Sequence, residues 1–220
     1  MTFIITPEMF EEQRRRCELL GLDALTYEQA RDEGSAARRV RTSCHEIGHV
    51  GAHLHGDVEF ASVDVHPGGG GAVRCFDPLR PPVARDGIPP LEARVAVQCG
   101  GLCAEAVLLG RVDPWGARVD TVRALALAAG DAHIIPEQVA ELRQSFARHR
   151  DMLARLARAL RRAASLSRAD CVRLARAAGC LVPKRARYEP RSPPEELARM
   201  RAAREGQRRQ ERKEHADCNA

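Results

Sequence analysis

Residues 42–56 read TSCHEIGHVGAHLHG and gather four histidines and one glutamate. His45, Glu46 and His49 stand in the order His-Glu-x-x-His. Residues four apart share one face of a helix. Both imidazoles can therefore reach one ion at about 2.0–2.1 Å. Neutral imidazole suits a borderline cation such as zinc. Glu46 is turned off the ligand face, where it can reach a water without replacing it. That is an arrangement for water activation: zinc brings the water's pKa toward neutrality, and the carboxylate takes the proton and passes it to a leaving amine. Gly48, between the two histidines, leaves room for another segment to approach. His53 and His55 extend the histidine series and read as solvated or hydrogen-bonded bystanders. The bland alternative is a histidine-rich surface helix with no ion.

A catalytic zinc needs a third protein ligand and an open fourth position. The continuation His-x-x-Gly-x-x-His is broken, because Ala52 stands where its glycine would be. The carboxylates and imidazoles downstream are His66, Glu105, Asp113, Asp120, Asp131 and His133. Spacing alone does not choose among them. If a fourth protein group such as His53 or His66 closed the shell, the metal would be structural. The chain would then be a catalytically inactive zinc-binding or partner-binding module.

The elements that must carry these groups follow from periodicity. Ala36, Val40, Cys44, Ile47, Val50 and Leu54 recur at helical spacing and predict a helix over 35–55. Residues 1–34 form a helical lead-in, with Pro7 at a helix start and Gly21 as an interruption. After Gly56, Val58, Phe60, Val63 and Val65 predict a strand. A run of four glycines then turns into a second strand, giving a hairpin. The run is not a phosphate loop, since no Walker pattern occurs. A proline-rich loop, PLRPPVARDGIPP, precedes a strongly apolar helix over 91–109, whose Gly100-Gly101 pair admits a close neighbour. A helix starts near 117, a long amphipathic helix covers 136–163, and a Ser/Arg turn leads to a last helix ending at Gly179. The fold class is mainly α with a small β-hairpin.

Composition narrows the setting. In 220 residues, hydrophobic types make 44% and aromatics 4%, so one core of Leu, Val and Ala is expected. The eight cysteines are scattered without a Cys-x-x-Cys pair and read as small buried hydrophobes in a reducing compartment. No apolar window long enough for a membrane span is present, and the start does not fit a secretory leader. The expected location is cytoplasmic. Residues 181–220 carry a mixed-charge, arginine-rich stretch that reads as a solvated tail. Its sharper alternative is a basic arm for nucleic acid or an acidic partner, and the lack of interleaved aromatics weakens single-strand stacking.

The order of segments resembles the peptidase domain of FtsH-type ATP-dependent zinc proteases. CHEIGHVGAHLHG is similar to that family's His-Glu-Ala-Gly-His helix. VEFASVDVHPGGGGAVRCFDP resembles its strand, glycine turn and second strand. LEARVAVQCGGLCAEAVLLGRVDPWGARVD resembles its Gly-Gly-Arg-x-Ala-Glu-Glu helix followed by Gly-Ala-x-x-Asp. The likeness covers 35–178, within an expected zinc domain of 35–180. By position it implies His45 and His49 as zinc ligands, Asp120 as the third, and Glu46 as the catalytic base. It also implies hydrolysis of peptide bonds in flexible or unfolded polypeptides. Departures are Ile47 inside the motif, Leu102 after the glycine pair, Ala106 for a second glutamate, and Val119 before Asp120. The family's ATPase module and membrane helices are not seen in these residues. Work on folded substrates would need a separate unfoldase or self-association.

Overall fold

The computed structural model describes residues 5–66, 70–74, 91–129, 131 and 133–180. The proline-rich loop and the 181–220 tail fall outside the described residues. Local sequence sets the helix ends. Thr6 caps α1 (Pro7–Leu19) by accepting from the Met9 N–H, with Pro7 opening the helix and Gly21, at φ +69°, closing the turn after it. Thr26 and Gln29 form a capping box on α2 (Tyr27–Asp32). Next come α3 (Ser35–His55), β1 (Ser62–Val65), β2 (Gly71–Arg74), α4 (Leu91–Leu109) and α5 (Arg118–Leu127). They are followed by α6 (Ile134–Arg148), α7 (Arg150–Ala163), β3 (Ser165–Ser167) and α8 (Arg168–Ala177).

α3 runs through the middle. It packs on α4, α7 and the sheet, and α6 covers α4. Every residue from 43 to 54 is buried. The core is aliphatic, as the composition requires, with Ile47, Val50, Val63, Leu102, Leu142, Leu153 and Leu156 almost free of solvent. Cys17, Leu22 and Ala24 from the lead-in join the same core. Buried cysteines fill it too, and burial pushes the Cys17, Cys99 and Cys171 thiols up to about 12, which keeps them unreactive.

Three sequence expectations change. The hairpin is a three-stranded antiparallel sheet in the order β2-β1-β3, with Val63 opposite both Val73 and Leu166. The segment read as a Ser/Arg turn supplies β3, because Ala164 adopts φ +62° and swings the chain back onto β1. The first strand is also shorter than its pattern suggested. Val58 and Phe60 are buried but lie outside it. The apolar alternation slips by one residue between Phe60 and Val63, which a single pleat does not tolerate. The long helix over 136–163 is in fact α6 and α7, broken at His149 with φ −110° and ψ 24°. The apolar faces differ in destination. α6 packs on α4 and α7 mainly on α3, and one straight rod cannot reach both.

The contact between α3 and α4 is closer than side chains allow. A Cβ on Gly48 would sit 2.2 Å from the Gly100 carbonyl oxygen, and one on Gly100 would sit 2.5 Å from that of Gly48. The glycines that looked permissive in sequence are the contact itself. Gly48→Ala should therefore cost about 1–3 kcal/mol or more, since backbone rather than a flexible side chain must move. Gly51→Ala, whose Cβ would meet the Phe146 ring at 3.0 Å, should cost less. Thermal melts of the two variants test this; equal melting temperatures would contradict it.

Candidate metal centre

α3 presents His45 and His49 on one face, and α5 brings Asp120 to them in its first turn. The His45 and His49 Nε2 atoms lie 3.1 Å apart. Asp120 Oδ2 is 3.1 Å from His45 Nε2 and 3.4 Å from His49 Nε2. Ligand atoms about 2.0–2.2 Å from one tetrahedral ion stand about 3.3–3.6 Å from each other. The three atoms form nearly that triangle. Two imidazole nitrogens and a carboxylate oxygen suit a borderline divalent cation. His45, His49 and Asp120 could hold a metal ion.

α4 aims both rings. The His45 Nδ1–H donates to Glu105 Oε1 at 2.7 Å, and the His49 Nδ1–H donates to the Val97 carbonyl at 2.7 Å. With each Nδ1 committed to an acceptor, each Nε2 is the ring atom turned toward Asp120 and toward an ion between them. Gly101 makes the approach possible, because a Cβ there would lie 2.4 Å from the His45 ring. Burial opposes charge on His45, but the Asp120 and Glu105 carboxylates on either side outweigh it and hold its pKa well above the ordinary value. Burial works against ionised Asp120 as well, yet hydrogen bonds from His45 and His49 keep it far below the usual carboxylate range. Both shifts say that the cluster favours positive charge at its centre, which a divalent cation satisfies.

Glu46 is buried beside the ligands. Burial raises its pKa, while the two histidines pull it back. The last of the four glycines lies against it: a Cβ on Gly71, the first residue of β2, would come within 2.5 Å of Glu46 Cγ. That glycine was read as part of a flexible turn. Its function is to let the strand pass over the carboxylate.

The remaining candidates stand apart. Glu105 is buried, but on the far side of His45 from Asp120. Its sequence signal was a lone carboxylate late in an apolar helix, where a buried charge must have a partner. Asp113 accepts from the Trp115 N–H and shapes the turn before α5. His66, Asp131 and His133 are exposed. His53 is buried with its ring 3.1 Å from the Val58 carbonyl, and burial lowers its pKa to about 4. His55 lies at the end of the unbroken helix and pairs with Glu141 at 3.1 Å. The Val97 carbonyl is a backbone group and left no trace in the sequence pattern.

No protein-family model matches the chain, and no curated protein matches it. The metal centre therefore rests on its own geometry.

Two measurements check it. His45→Ala, His49→Ala or Asp120→Ala should each abolish tight binding of a divalent metal, and Glu105→Gln should weaken it about 10–100-fold. Gly101→Ala should weaken it also, by tilting the His45 ring. Competition with a metal chelator reads these affinities, and wild-type affinity in Glu105→Gln would refute the orienting role. The second measurement concerns acid stability. Neutral His53 is favoured in the fold, so its contribution is complete above pH 6.5 and drains away as pH falls toward about 4. The loss is on the order of 3 kcal/mol. Urea unfolding of His53→Gln should show a shallower decline over that window than the wild type; parallel curves would mean that His53 does not titrate there.

Proposed function

We propose that the chain is a zinc-dependent endopeptidase on a helical fold of the FtsH-peptidase type, cutting flexible or unfolded polypeptides. The observation that carries the reading is the count of ligands. Among the described residues, three groups converge at the centre and none supplies a fourth. His53 is held by Val58, and His66 is exposed. A structural zinc site is ordinarily closed by four protein ligands, whereas a catalytic one keeps a position for water or substrate. This favours the enzyme over the inactive binding module.

Zinc, when bound, would acidify a water and polarise a peptide carbonyl. The protein's part is positioning and proton transfer. His45, His49 and Asp120 would hold the ion, with the two rings fixed from behind by Glu105 and Val97. Glu46 follows His45 directly on the same helix, so its carboxylate sits beside the ligands without being one of them. Burial raises its proton affinity, which suits a base that must also return the proton to a leaving amine near neutral pH. Exposed, flexible segments are the expected targets. No described helix is long and apolar enough to cross a membrane.

The reading is tested by zinc analysis and by degradation of an unfolded protein such as casein. One equivalent of zinc is expected, with cleavage that chelation stops. Glu46→Gln should keep the zinc and lose cleavage by about 10²–10⁴-fold. A metal-free wild-type protein, or undiminished cleavage in Glu46→Gln, would overturn it.

A further inference from the structure

Behind Glu105 lies a charge that the site as described does not use. Arg41, one turn before His45 on α3, is almost buried. Its Nη1 donates to Glu105 Oε2 at 2.9 Å and to the Arg111 carbonyl at 2.8 Å. Its Nε donates to Glu33 Oε1 at 3.0 Å, and its Nη2 lies 3.0 Å from the same oxygen. Glu33 caps the C-terminal end of α2. The Asp113 N–H is a second donor to Glu105 Oε2, at 2.8 Å.

We propose that Arg41 is a positioning residue for the metal centre, acting on His45 through Glu105 and on Asp120 through the loop that precedes α5. The inference rests on the reading of His45, His49 and Asp120 as metal ligands. A guanidinium can only donate, and so can a backbone N–H. Glu105 Oε2 receives both and is thereby held as an acceptor. The carboxylate then turns Oε1 to the His45 ring as an acceptor too, which holds a proton on Nδ1 and presents Nε2 to Asp120 and the ion. If Glu105 lost its cationic partner, its carboxylate would be free to rotate away from the His45 ring. A ring no longer held at Nδ1 does not present Nε2 to the ion. The bond to the Arg111 carbonyl fixes the loop 110–117 at the same point, and that loop delivers Asp120. Glu33 anchors the other end of the guanidinium. The lead-in thus reaches the metal centre through one ion-pair chain: Glu33, Arg41, Glu105, His45.

The test compares zinc affinity, by chelator competition on the full chain, in Arg41→Met, Arg41→Lys, Glu105→Gln and the double variant R41M/E105Q. Methionine keeps the buried stem and removes the fork. Arg41→Met should bind zinc at least about tenfold more weakly, in the range for groups behind metal ligands. Arg41→Lys should recover part of that loss, since it restores charge but not the fork. Because Arg41 reaches His45 through Glu105, the double variant should fall short of the product of the two single losses, whereas independent structural effects would multiply. A second reading needs no metal: proton NMR of the metal-free protein should show a low-field His45 Nδ1–H in the wild type that is shifted or lost in Arg41→Met. Wild-type zinc affinity in Arg41→Met, or losses that multiply in the double variant, would overturn the role. If the wild type binds no zinc, the metal reading fails. The ring proton then decides alone: its loss in Arg41→Met sustains Arg41's hold on His45, and an unchanged resonance ends it. Should Arg41→Met fail to fold, Glu33→Gln and Arg41→Lys carry the same comparisons, each expected to show a smaller loss.

Discussion

The structure depends on how closely α3 and α4 touch. Backbone meets backbone at Gly48 and Gly100, with each glycine lying where the other's side chain would be. Only at that separation can α4 reach the rings on α3. The Val97 carbonyl and the Glu105 carboxylate lie on the same helix on either side of Gly100-Gly101, and they take the Nδ1 protons of His49 and His45. A wider spacing would lengthen both hydrogen bonds at once. Packing and chemistry are therefore one constraint, since the close approach that seals the core is the same one that aims the ligands.

Around that contact the rest of the chain takes supporting roles. The sheet covers Glu46, with Gly71 passing over it. α6 and α7 part at His149 so that one can back α4 and the other α3. α5 packs on α4 and contributes Asp120, whose charge is stabilised by the two histidines and by its place in the first turn of a helix. The electrostatics are arranged in layers outward from the ligands, from Asp120 and Glu105 on His45 to Arg41 on Glu105 and Glu33 on Arg41.

Much of this was legible in the sequence. The spacing of His45 and His49, the helical period around them and the glycines predicted α3, α4 and a close neighbour for each, though not that the neighbour was the other helix, because local periodicity and the absence of a side chain are properties of the residues alone. Asp120 was legible only through resemblance; among six possible third ligands, spacing gave no ranking. What the sequence could not reveal were contacts made by backbone atoms or by turns with no special residue. The Val97 carbonyl is such a case, and so is Ala164 in a left-handed conformation that creates β3 without a glycine. The break at His149 was also hidden, because the apolar period continues across it while the direction of the helix changes. Glu105 was seen as a ligand candidate and proved to stand one layer further out, a distinction that depends on which ring nitrogen it meets.

A helix enclosed on every side has no spare face. From residue 43 to residue 54, α3 lacks a solvent side on which substitutions could accumulate. Sliding the motif by one residue would rotate both imidazoles by about 100° away from Asp120. The inherited register of α3 is consequently frozen. α5 is different: Asp120 points inward from a helix whose Val119, Val122 and Leu125 are about half exposed. Divergence among descendants of this chain should therefore be recorded on the helix that carries the carboxylate, and be nearly silent on the helix that carries the histidines.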